Sequence, residues 1–230
     1  MTDGIPPGTD PALQPLLDAL GLTVTAAQAR QLTQFLDLLQ RWNATYNLTA
    51  VRGRADMLSH HLADCLAVVE AVRRRQATGR LLDVGSGGGL PGVVLAICLP
   101  QWEVHCVDTV GKKAAFIRQV AGTLALPNLQ AHHTRVEALK VPPFDLITSR
   151  AFATLALFVR LTSRHLKPQG VWMAMKGREP AEELAELPTD IDVFHVEPLK
   201  VPTLDAQRCL VWMRPKARVQ AQSKAPVSPD

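Results

Sequence analysis

A glycine-rich turn follows a short apolar stretch in the middle of the chain. Residues 81–92 read Leu-Leu-Asp-Val-Gly-Ser-Gly-Gly-Gly-Leu-Pro-Gly. Glycines let a backbone turn sharply and approach a ligand closely, and open α/β sheets bind ligands at the carboxyl ends of their strands. The segment therefore predicts a strand, a turn and a helix that together hold a small-molecule cofactor. A tight turn with a purely structural role is the alternative.

Two cofactor classes compete for this turn. A dinucleotide fingerprint, G-x-G-x-x-G, can be placed on residues 87–92, but its first glycine then lies two residues beyond the predicted strand end and Pro91 interrupts it. The other frame starts on the strand at Asp83 and continues through alternate glycines, Gly85, Gly87 and Gly89. That frame resembles the first motif of class I S-adenosylmethionine-dependent methyltransferases, and it predicts S-adenosylmethionine as the cofactor.

An acidic residue ends the next predicted strand. Asp108 follows the apolar run 103–107. A carboxylate at the tip of the second strand can accept hydrogen bonds from both hydroxyls of a ribose. Because both candidate cofactors contain a ribose, Asp108 predicts a nucleoside ligand without separating the two classes.

The end of the fourth predicted strand lacks the motifs of two methyltransferase classes, which narrows the type of atom that can be methylated. Methyltransferases that act on exocyclic amines usually place Asn or Asp before Pro-Pro-aromatic at this strand end, whereas residues 148–152 read Thr-Ser-Arg-Ala-Phe. Methylation of a base-ring carbon needs a nucleophilic Cys, and Cys209 lies inside a predicted strand with no base-like neighbour. The remaining chemistry is methyl transfer to an atom with an available lone pair.

Histidines and aromatic residues of the N-terminal half are further candidates. His60 and Asp64, beside His61, share one face of a predicted helix. A third ligand with suitable spacing is missing from the sequence, so we predict a solvated or hydrogen-bonded pair and no metal site. Trp42 and Tyr46 either stack on a base or pack between the helices and the sheet.

Basic residues that the cofactor loop does not require form three groups. An arginine run ends a predicted helix, where it either contacts RNA or is solvated beside the negative end of the helix dipole. Basic residues also open the helix after Asp108, and a lysine follows the fifth strand, where it could meet a phosphate. The predicted RNA-binding residues are Arg73, Arg74, Arg75, Lys112, Lys113, Arg118 and Lys176.

The first third of the chain has a helical pattern. Residues 1–11 are rich in Gly and Pro and predict a flexible lead-in, and residues 12–79 predict an N-terminal helical region. A leucine stripe there ends at Gly21, and Thr25 can cap a second helix. A third helix is predicted over residues 57–72.

The pattern changes at residue 80. Over 80–213, seven short apolar runs alternate with helical stretches, which is typical of a Rossmann-like α/β domain with a mostly parallel seven-stranded sheet. The last two strands can pair antiparallel. Residues 214–230 form a basic tail that we predict to be disordered. The apolar runs lie near 80–84, 103–107, 129–133, 144–148, 171–175, 192–196 and 208–213.

Composition excludes several classes of protein. The length of 230 residues argues against a repeat array or a long multidomain protein. A content of 47% hydrophobic and 20% charged residues excludes a wholly disordered chain. The net charge of +4 permits an anionic partner such as RNA. Neither a signal-peptide pattern nor an apolar run of roughly 18 residues occurs, so we expect a cytoplasmic protein without a membrane partner. Four scattered cysteines predict reduced thiols.

Seven short motifs occur in order between about residues 20 and 213. They are RWNATYNLTAVR at 41–52, HHLADC at 60–65, the glycine loop ending in LPG at 90–92, DTVGKK at 108–113, RVE at 135–137, SRAF at 149–152 and MKG at 175–177. In these motifs and their spacing the chain resembles the bacterial small-subunit ribosomal RNA guanine-N7 methyltransferases, also called the glucose-inhibited division protein B family. Ser86 and Gly88 depart from the Thr and Pro common in that family, and His60 from its Arg.

The resemblance implies which residues contact the cofactor. In that family the cofactor is touched at positions matching five residues here, Gly85, Leu90, Val136, Glu137 and Arg150, with the acid at Asp108 on the ribose. With the loop frame, the predicted cofactor-binding set is Asp83, Gly85, Ser86, Gly87, Gly89, Leu90, Asp108, Val136, Glu137 and Arg150. Acid–base catalysis is assigned to no residue, and Arg150 and Lys176 are predicted to position the reactants.

The resemblance also implies a reaction and a partner. The enzyme would transfer the methyl group of S-adenosylmethionine to N7 of a guanine in 16S ribosomal RNA, free or in the small ribosomal subunit, and release S-adenosylhomocysteine. Guanine N7 carries a free lone pair, so catalysis reduces to alignment of the reacting atoms. Two alternatives stay open: a methyltransferase for a small molecule, and a non-catalytic RNA-binding or assembly protein with a nucleoside pocket.

Overall fold

The chain opens with two helices that cover one side of the later sheet. A computed structural model describes residues 7–202 and 204–216. Helix α1 (Leu13–Leu20) and helix α2 (Ala26–Tyr46) are confirmed where the leucine stripe and Thr25 predicted them. The Thr25 side chain accepts a hydrogen bond from the backbone of Gln28, and the Gln28 side chain accepts one from the backbone of Thr25. This reciprocal cap fixes the start of α2.

The single third helix that we predicted over 57–72 is instead a series of short helical segments. Helix α3 (Arg54–Met57) continues through a π-helical turn (Leu58–Leu62) into α4 (Ala63–Leu66), and α5 (Val69–Arg75) comes after a further turn. A π turn inserts one residue into the helical repeat and so rotates the next helical turn about the axis. His61 and Asp64 are both buried here, whereas His60 is exposed.

Within the residues that the structure describes, seven strands form one sheet in the order β3-β2-β1-β4-β5-β7-β6. The first five strands pair in parallel, and β7 runs antiparallel to both β5 and β6. All seven predicted apolar runs are confirmed as strands. They are β1 (Gly79–Val84), β2 (Trp102–Asp108), β3 (Leu129–His133), β4 (Phe144–Arg150), β5 (Leu166–Lys176), β6 (Ile191–Leu199) and β7 (Arg208–Pro215).

Helices cover both faces of the sheet. Helix α6 (Gly92–Cys98) is buried along its whole length, and α2 contacts both α6 and α7 (Gly111–Thr123). Helices α8 (Leu155–Thr162) and α9 (Ala181–Ala185), which the sequence analysis did not predict, contact each other, and α8 also packs on β5. The N-terminal helices therefore form an additional layer outside α6 and α7.

Strand direction gives the sheet two functionally different edges. The parallel strands end at the carboxyl edge, where the glycine loop, Asp108 and Arg150 lie. Because β7 is antiparallel, its first residue, Arg208, lies at the same edge, and the neighbouring Cys209 pairs with Lys176 at the end of β5. Helix α5 leads into the start of β1 and so ends at the opposite, amino edge.

Both ends of the described chain are more ordered than we predicted. In the lead-in, the Asp10 carboxylate pairs with Arg54 Nε at 2.9 Å. Strand β7 extends into the predicted tail as far as Pro215, where it pairs with the start of β6, and Arg214 Nε lies 2.8 Å from Asp192 Oδ2 there. The predicted disorder of 217–230 and the first six residues of the lead-in lie outside the described residues. None of the described helices has the length and apolar character needed to cross a membrane.

Candidate active site

The glycine loop after β1 has the backbone that the alternate-glycine frame requires. Gly85, Gly87 and Gly89 have φ values of 69°, 55° and 80°, in the left-handed region that side chains rarely adopt. At Gly85 there is also no room for a side chain, because a Cβ would lie 2.6 Å from Cδ2 of the Phe152 ring. Gly88 and Gly92 do not share the positive φ. The loop thus follows the acid-first frame.

Hydrogen bonds tie the loop to the end of the neighbouring strand β2. The backbone N–H groups of Gly85 and Ser86 donate to the carbonyl oxygen of Val107, at 2.9 and 3.3 Å. The N–H of Gly87 donates to Asp108 Oδ2 at 3.0 Å, and the N–H of Val110 donates to Asp108 Oδ1 at 2.8 Å. Each carboxylate oxygen can accept a second hydrogen bond, so Asp108 orders the loop and can still accept hydroxyl groups of a ligand.

Asp83 lies behind the loop and lines neither of the cavities at the carboxyl edge. Its Oδ2 accepts a hydrogen bond from the Gly92 N–H at 2.9 Å, and its Oδ1 has no partner among the described residues. Complete burial raises the pKa of this carboxyl to about 7. We predicted that Asp83 binds the cofactor, whereas the structure places it where it joins β1 to the start of α6.

Two cavities adjoin across the glycine loop. The first, of about 520 Å³, is lined by loop residues that include Ser86, Gly87 and Leu90, and by Arg150. The second, of about 380 Å³, is lined by residues that include Asp108, Lys113, Val136 and Glu137. Gly85 and Ala151 line both. Both volumes fall in the range of small-molecule sites. Eight of the ten predicted cofactor residues line one or both cavities, whereas Asp83 and Gly89 line neither.

Arg150 lies in a polar cluster in the first cavity. Its Nη1 donates to Asp64 Oδ2 and to the carbonyl oxygen of His60, both at 3.2 Å, and its Nη2 lies 3.4 Å from His61 Nδ1. The other oxygen of Asp64 accepts a hydrogen bond from Arg208 Nε at 3.0 Å. One buried carboxylate therefore holds two guanidinium groups.

We predicted a solvated or hydrogen-bonded pair at His60 and Asp64. His60 is exposed, but Asp64 is buried and the two side chains do not bond each other. Asp64 bonds the two arginines, and the His60 ring bonds Ser59 Oγ at 2.9 Å. The buried neighbour, His61, has Nε2 at 2.6 Å from Thr49 Oγ1. Burial and the positive charge of Arg150 lower the pKa of His61 to about 4, so this ring is neutral at pH 7. No group of side chains suited to a metal ion occurs among the described residues.

Lys176 reaches the first cavity but is already engaged. Its Nζ lies 2.9 and 2.7 Å from the two carboxylate oxygens of Glu183 and donates to the carbonyl oxygen of Ala153 at 3.2 Å. Glu183 also accepts a hydrogen bond from the backbone of Leu155 at the start of α8. The ion pair therefore holds down the segment after β4. Sequence reasoning missed Glu183, which lies in a short helix without a recognisable motif.

The structure separates the predicted RNA-binding residues into two groups. Lys112 and Lys113 open α7 at the carboxyl edge, and Arg118 lies farther along the same helix, with Nη1 at 3.4 Å from the Ala131 carbonyl oxygen. The arginines at the end of α5 lie at the amino edge. There Arg73 pairs with Glu70, Arg74 pairs with Glu197, and Arg75 lies over the Phe194 ring.

Trp42 and Tyr46 fill different environments. The Trp42 ring packs against Phe116 of α7, with centroids 5.4 Å apart, which confirms packing between the helices and the α/β core. The Tyr46 ring lies on the outer side of Trp42, with centroids 4.8 Å apart, and is 44% exposed. Stacking of Tyr46 on a base stays a prediction.

Comparison with known proteins decides the family. The family model described as rRNA small subunit methyltransferase G matches residues 28–211. The chain belongs to this family. Ribosomal RNA small subunit methyltransferase G of Methylibium petroleiphilum is 61% identical over 200 residues, which cover 86% of this chain and 90% of the relative. The protein of the same name from Acidovorax sp. (strain JS42) is 56% identical over 216 residues, covering 90% of this chain and 95% of the relative.

Solved structures show the same fold at low sequence identity. The glycopeptide N-methyltransferase MtfA has a TM-score of 0.56 at 12% identity, covering 66% of this chain and 90% of its own. A SAM-dependent methyltransferase from Aquifex aeolicus has a TM-score of 0.52 at 15% identity, covering 69% of this chain and 92% of its own. The predicted class I methyltransferase fold and the family resemblance are thus both confirmed.

Proposed function

We propose that this methyltransferase G family member transfers the methyl group of S-adenosylmethionine to N7 of a guanine in 16S ribosomal RNA and releases S-adenosylhomocysteine. The observation that carries the proposal is the arrangement at the carboxyl edge. A left-handed glycine loop and the carboxylate of Asp108 lie between two adjoining cavities, in a chain whose relatives are named for ribosomal RNA of the small subunit.

The residues present fit the cofactor in an extended pose. The adenosine part fits the second cavity, where Asp108 would accept the ribose hydroxyls and where Val136 and Glu137 would flank the base. The methionine part fits the first cavity along the backbone of the glycine loop at Gly85, Ser86 and Gly87. Arg150, in the same cavity, would meet the carboxylate end. The bound cofactor supplies an electrophilic methyl group on a sulfonium.

The reaction balances without a protein base. The bond from N7 to the methyl carbon forms while the bond from carbon to sulfur breaks, and sulfur keeps the electron pair. The lone pair on guanine N7 is already free, so no proton must leave first. His61 and Asp64 line the first cavity, but the lowered pKa makes His61 a weak base and Asp64 is ion-paired, which suits structural roles better than proton transfer. The site therefore contributes alignment of the reacting atoms.

The RNA would approach the carboxyl edge, where both cavities lie. Lys112 and Lys113 lie at this edge beside the second cavity and would contact RNA phosphates there. Arg73, Arg74 and Arg75 would contact only a substrate large enough to reach the amino edge, such as the small ribosomal subunit. We place the protein in the cytoplasm together with this substrate.

Mass spectrometry of ribosomal RNA tests the proposal. Small-subunit RNA from cells that lack the gene should have less 7-methylguanosine than wild-type RNA, and a plasmid copy should restore it. A plasmid with Asp108→Ala serves as the matched negative control. Unchanged 7-methylguanosine would overturn the proposal. Binding of S-adenosylhomocysteine by the purified protein without any RNA methylation would favour the assembly protein, or a methyltransferase for a small molecule.

A further inference from the structure

Arg208 is the one arginine of β7 that the strand direction brings to the carboxyl edge among the described residues. The chain reaches β7 late, and nothing in its local sequence marks this residue. Its side chain is 25% exposed and lines the first cavity, together with the glycine loop and Arg150. Arg208 is therefore available to a ligand in that cavity.

Hydrogen bonds hold Arg208 in place and leave part of its guanidinium free. Nε donates to Asp64 Oδ1 at 3.0 Å, and Nη1 donates to the carbonyl oxygen of Gln207 at 2.9 Å. Nη2 bonds no acceptor in the part of the chain that the structure describes. A planar guanidinium fixed on one side can present its remaining N–H groups to an oxyanion.

The charges around the cluster favour an anion. Asp64 carries one negative charge against the positive charges of Arg150 and Arg208, while His61 is neutral at pH 7. Lys176, on the same cavity, is balanced by Glu183. The cluster thus has a net charge near +1 in a half-enclosed space, where Coulomb attraction is stronger than in open water.

Both guanidinium groups bond Asp64, but the two arginines enter the cavity from different strands. Arg150 ends β4, directly beside the strand that carries the glycine loop, whereas β7 is two strands beyond β4. With neighbouring strands about 4.8 Å apart, the backbone of β7 lies roughly 14 Å from β1. The methionine part of a cofactor on the loop meets Arg150 first, and Arg208 faces the space that remains for the substrate.

We propose that Arg208 binds the phosphate of the target nucleotide in RNA, an inference that rests on the proposed function. An RNA phosphodiester offers two unesterified oxygens, which suit the N–H groups that Arg208 leaves free. Binding the nucleotide by its phosphate holds it in the first cavity, beside the methionine part of the cofactor. Arg208 therefore acts on the RNA and leaves cofactor affinity unchanged.

The test compares Arg208→Gln with Arg214→Gln, a matched control on the same strand. Arg214 also pairs with one carboxylate, but it lies at the amino edge and is 54% exposed. Affinity for a fluorescent 16S RNA fragment is measured by anisotropy at several salt concentrations, with S-adenosylhomocysteine bound, and methyl transfer is measured in parallel. Calorimetry gives the affinity for S-adenosylhomocysteine, and thermal melting reports folding.

Arg208→Gln should weaken RNA binding about tenfold and lower the log–log salt slope by about 0.7, the change expected for one lost contact to single-stranded RNA. Affinity for S-adenosylhomocysteine should stay within about twofold, and Arg214→Gln should match wild type. Arg208→Lys should keep the salt slope, because the charge remains. A wild-type slope in Arg208→Gln would overturn the inference, as would a loss confined to cofactor affinity or melting temperature.

Failure of the proposed function gives a different pattern. Wild-type protein that binds RNA but transfers no methyl group would contradict the proposed function, while anisotropy would still report on Arg208. Wild-type protein that binds no RNA would overturn both.

Discussion

The carboxylate of Asp108 both orders the glycine loop and is placed to bind a ligand. Asp108 accepts hydrogen bonds from the N–H groups of Gly87 and Val110, one on each carboxylate oxygen. The side chain therefore links the glycine loop to the start of α7. A ribose would use the lone pairs that remain. Loss of this side chain would remove hydrogen bonds to the ligand and also loosen the loop backbone that the ligand contacts.

Asp108→Ala should weaken binding of S-adenosylhomocysteine at least tenfold, which corresponds to roughly 1.5–3 kcal/mol for hydrogen bonds to a charged group. Isothermal titration calorimetry measures the change. Asp145→Ala is the matched control, because Asp145 also accepts a backbone N–H, that of Arg80, but lies at the amino edge. Equal affinities in Asp108→Ala and wild type would move the ribose to another residue.

Asp83 makes stability depend on pH in an unusual direction for a carboxyl group. Burial raises its folded-state pKa to about 7, above the unfolded value of about 3.9. Between these values the folded protein keeps a proton that the unfolded chain releases, so this group's contribution to stability falls as pH rises from about 4 to 7. His61, with its pKa lowered to about 4, changes stability in the opposite direction over an overlapping range.

Asp83→Asn should remove one of these two titrations. The free energy of unfolding of the variant, relative to wild type, should rise between pH 4 and pH 7 by an amount on the order of 4 kcal/mol, since each pKa unit corresponds to about 1.4 kcal/mol. Urea unfolding of ligand-free protein at several pH values measures this difference, in which the contribution of His61 cancels. Parallel stability curves for the two proteins would show that Asp83 is ionised throughout.

At the level of elements, strands were easier to predict than helices. The seven apolar runs correspond to β1–β7. In the parallel strands β1, β2, β4 and β5 they are clear because strands buried on both faces have short apolar sequences bounded by turns. The predicted helix over 57–72 was wrong in form because a π turn adds a residue without changing the apolar composition. Helix α9 was missed because its five residues show no buried face.

The loop between β1 and α6 depends on the absence of side chains. Gly85→Ala would place a Cβ 2.6 Å from the Phe152 ring and would force an unfavourable left-handed conformation on alanine. We expect binding of S-adenosylhomocysteine to be lost and the melting temperature to fall. Gly122→Ala is the control: Gly122 lies in helix α7 and an added Cβ meets no atom within 4 Å, so this variant should bind normally. Normal binding by Gly85→Ala would place the ligand away from this loop.

Across the whole molecule, site residues could be predicted from strand position only where they stand at the carboxyl end of a parallel strand. The glycine loop, Asp108 and Arg150 each end a parallel strand, so the sequence brings them to one edge. Arg208 could not be found in this way, because its place depends on the antiparallel course of β7. The arginine run at the end of α5 shows the reverse: a basic run visible in sequence lies at the edge opposite the cavities.

The distribution of charge over the two edges predicts how salt affects RNA binding. Affinity for a short RNA fragment should fall steeply with salt, while affinity for S-adenosylhomocysteine should change little. A double variant, Lys112→Ala with Lys113→Ala, should lower the log–log slope by about 0.7 for each lost contact. The triple variant Arg73, Arg74 and Arg75→Ala should change the slope less, because these side chains lie at the amino edge. A larger change in the triple variant would mean that RNA binds that edge.

All four thiols of the chain, at Cys65, Cys98, Cys106 and Cys209, are buried, and burial raises the pKa of each. Maleimide reagents react with exposed thiolates, so these side chains should resist modification while the protein is folded. A cysteine introduced by Lys216→Cys, after the end of β7, would be exposed and remote from both cavities. One fluorophore could then be attached to the otherwise unaltered protein, which would allow single-molecule observation of its encounters with ribosomal particles.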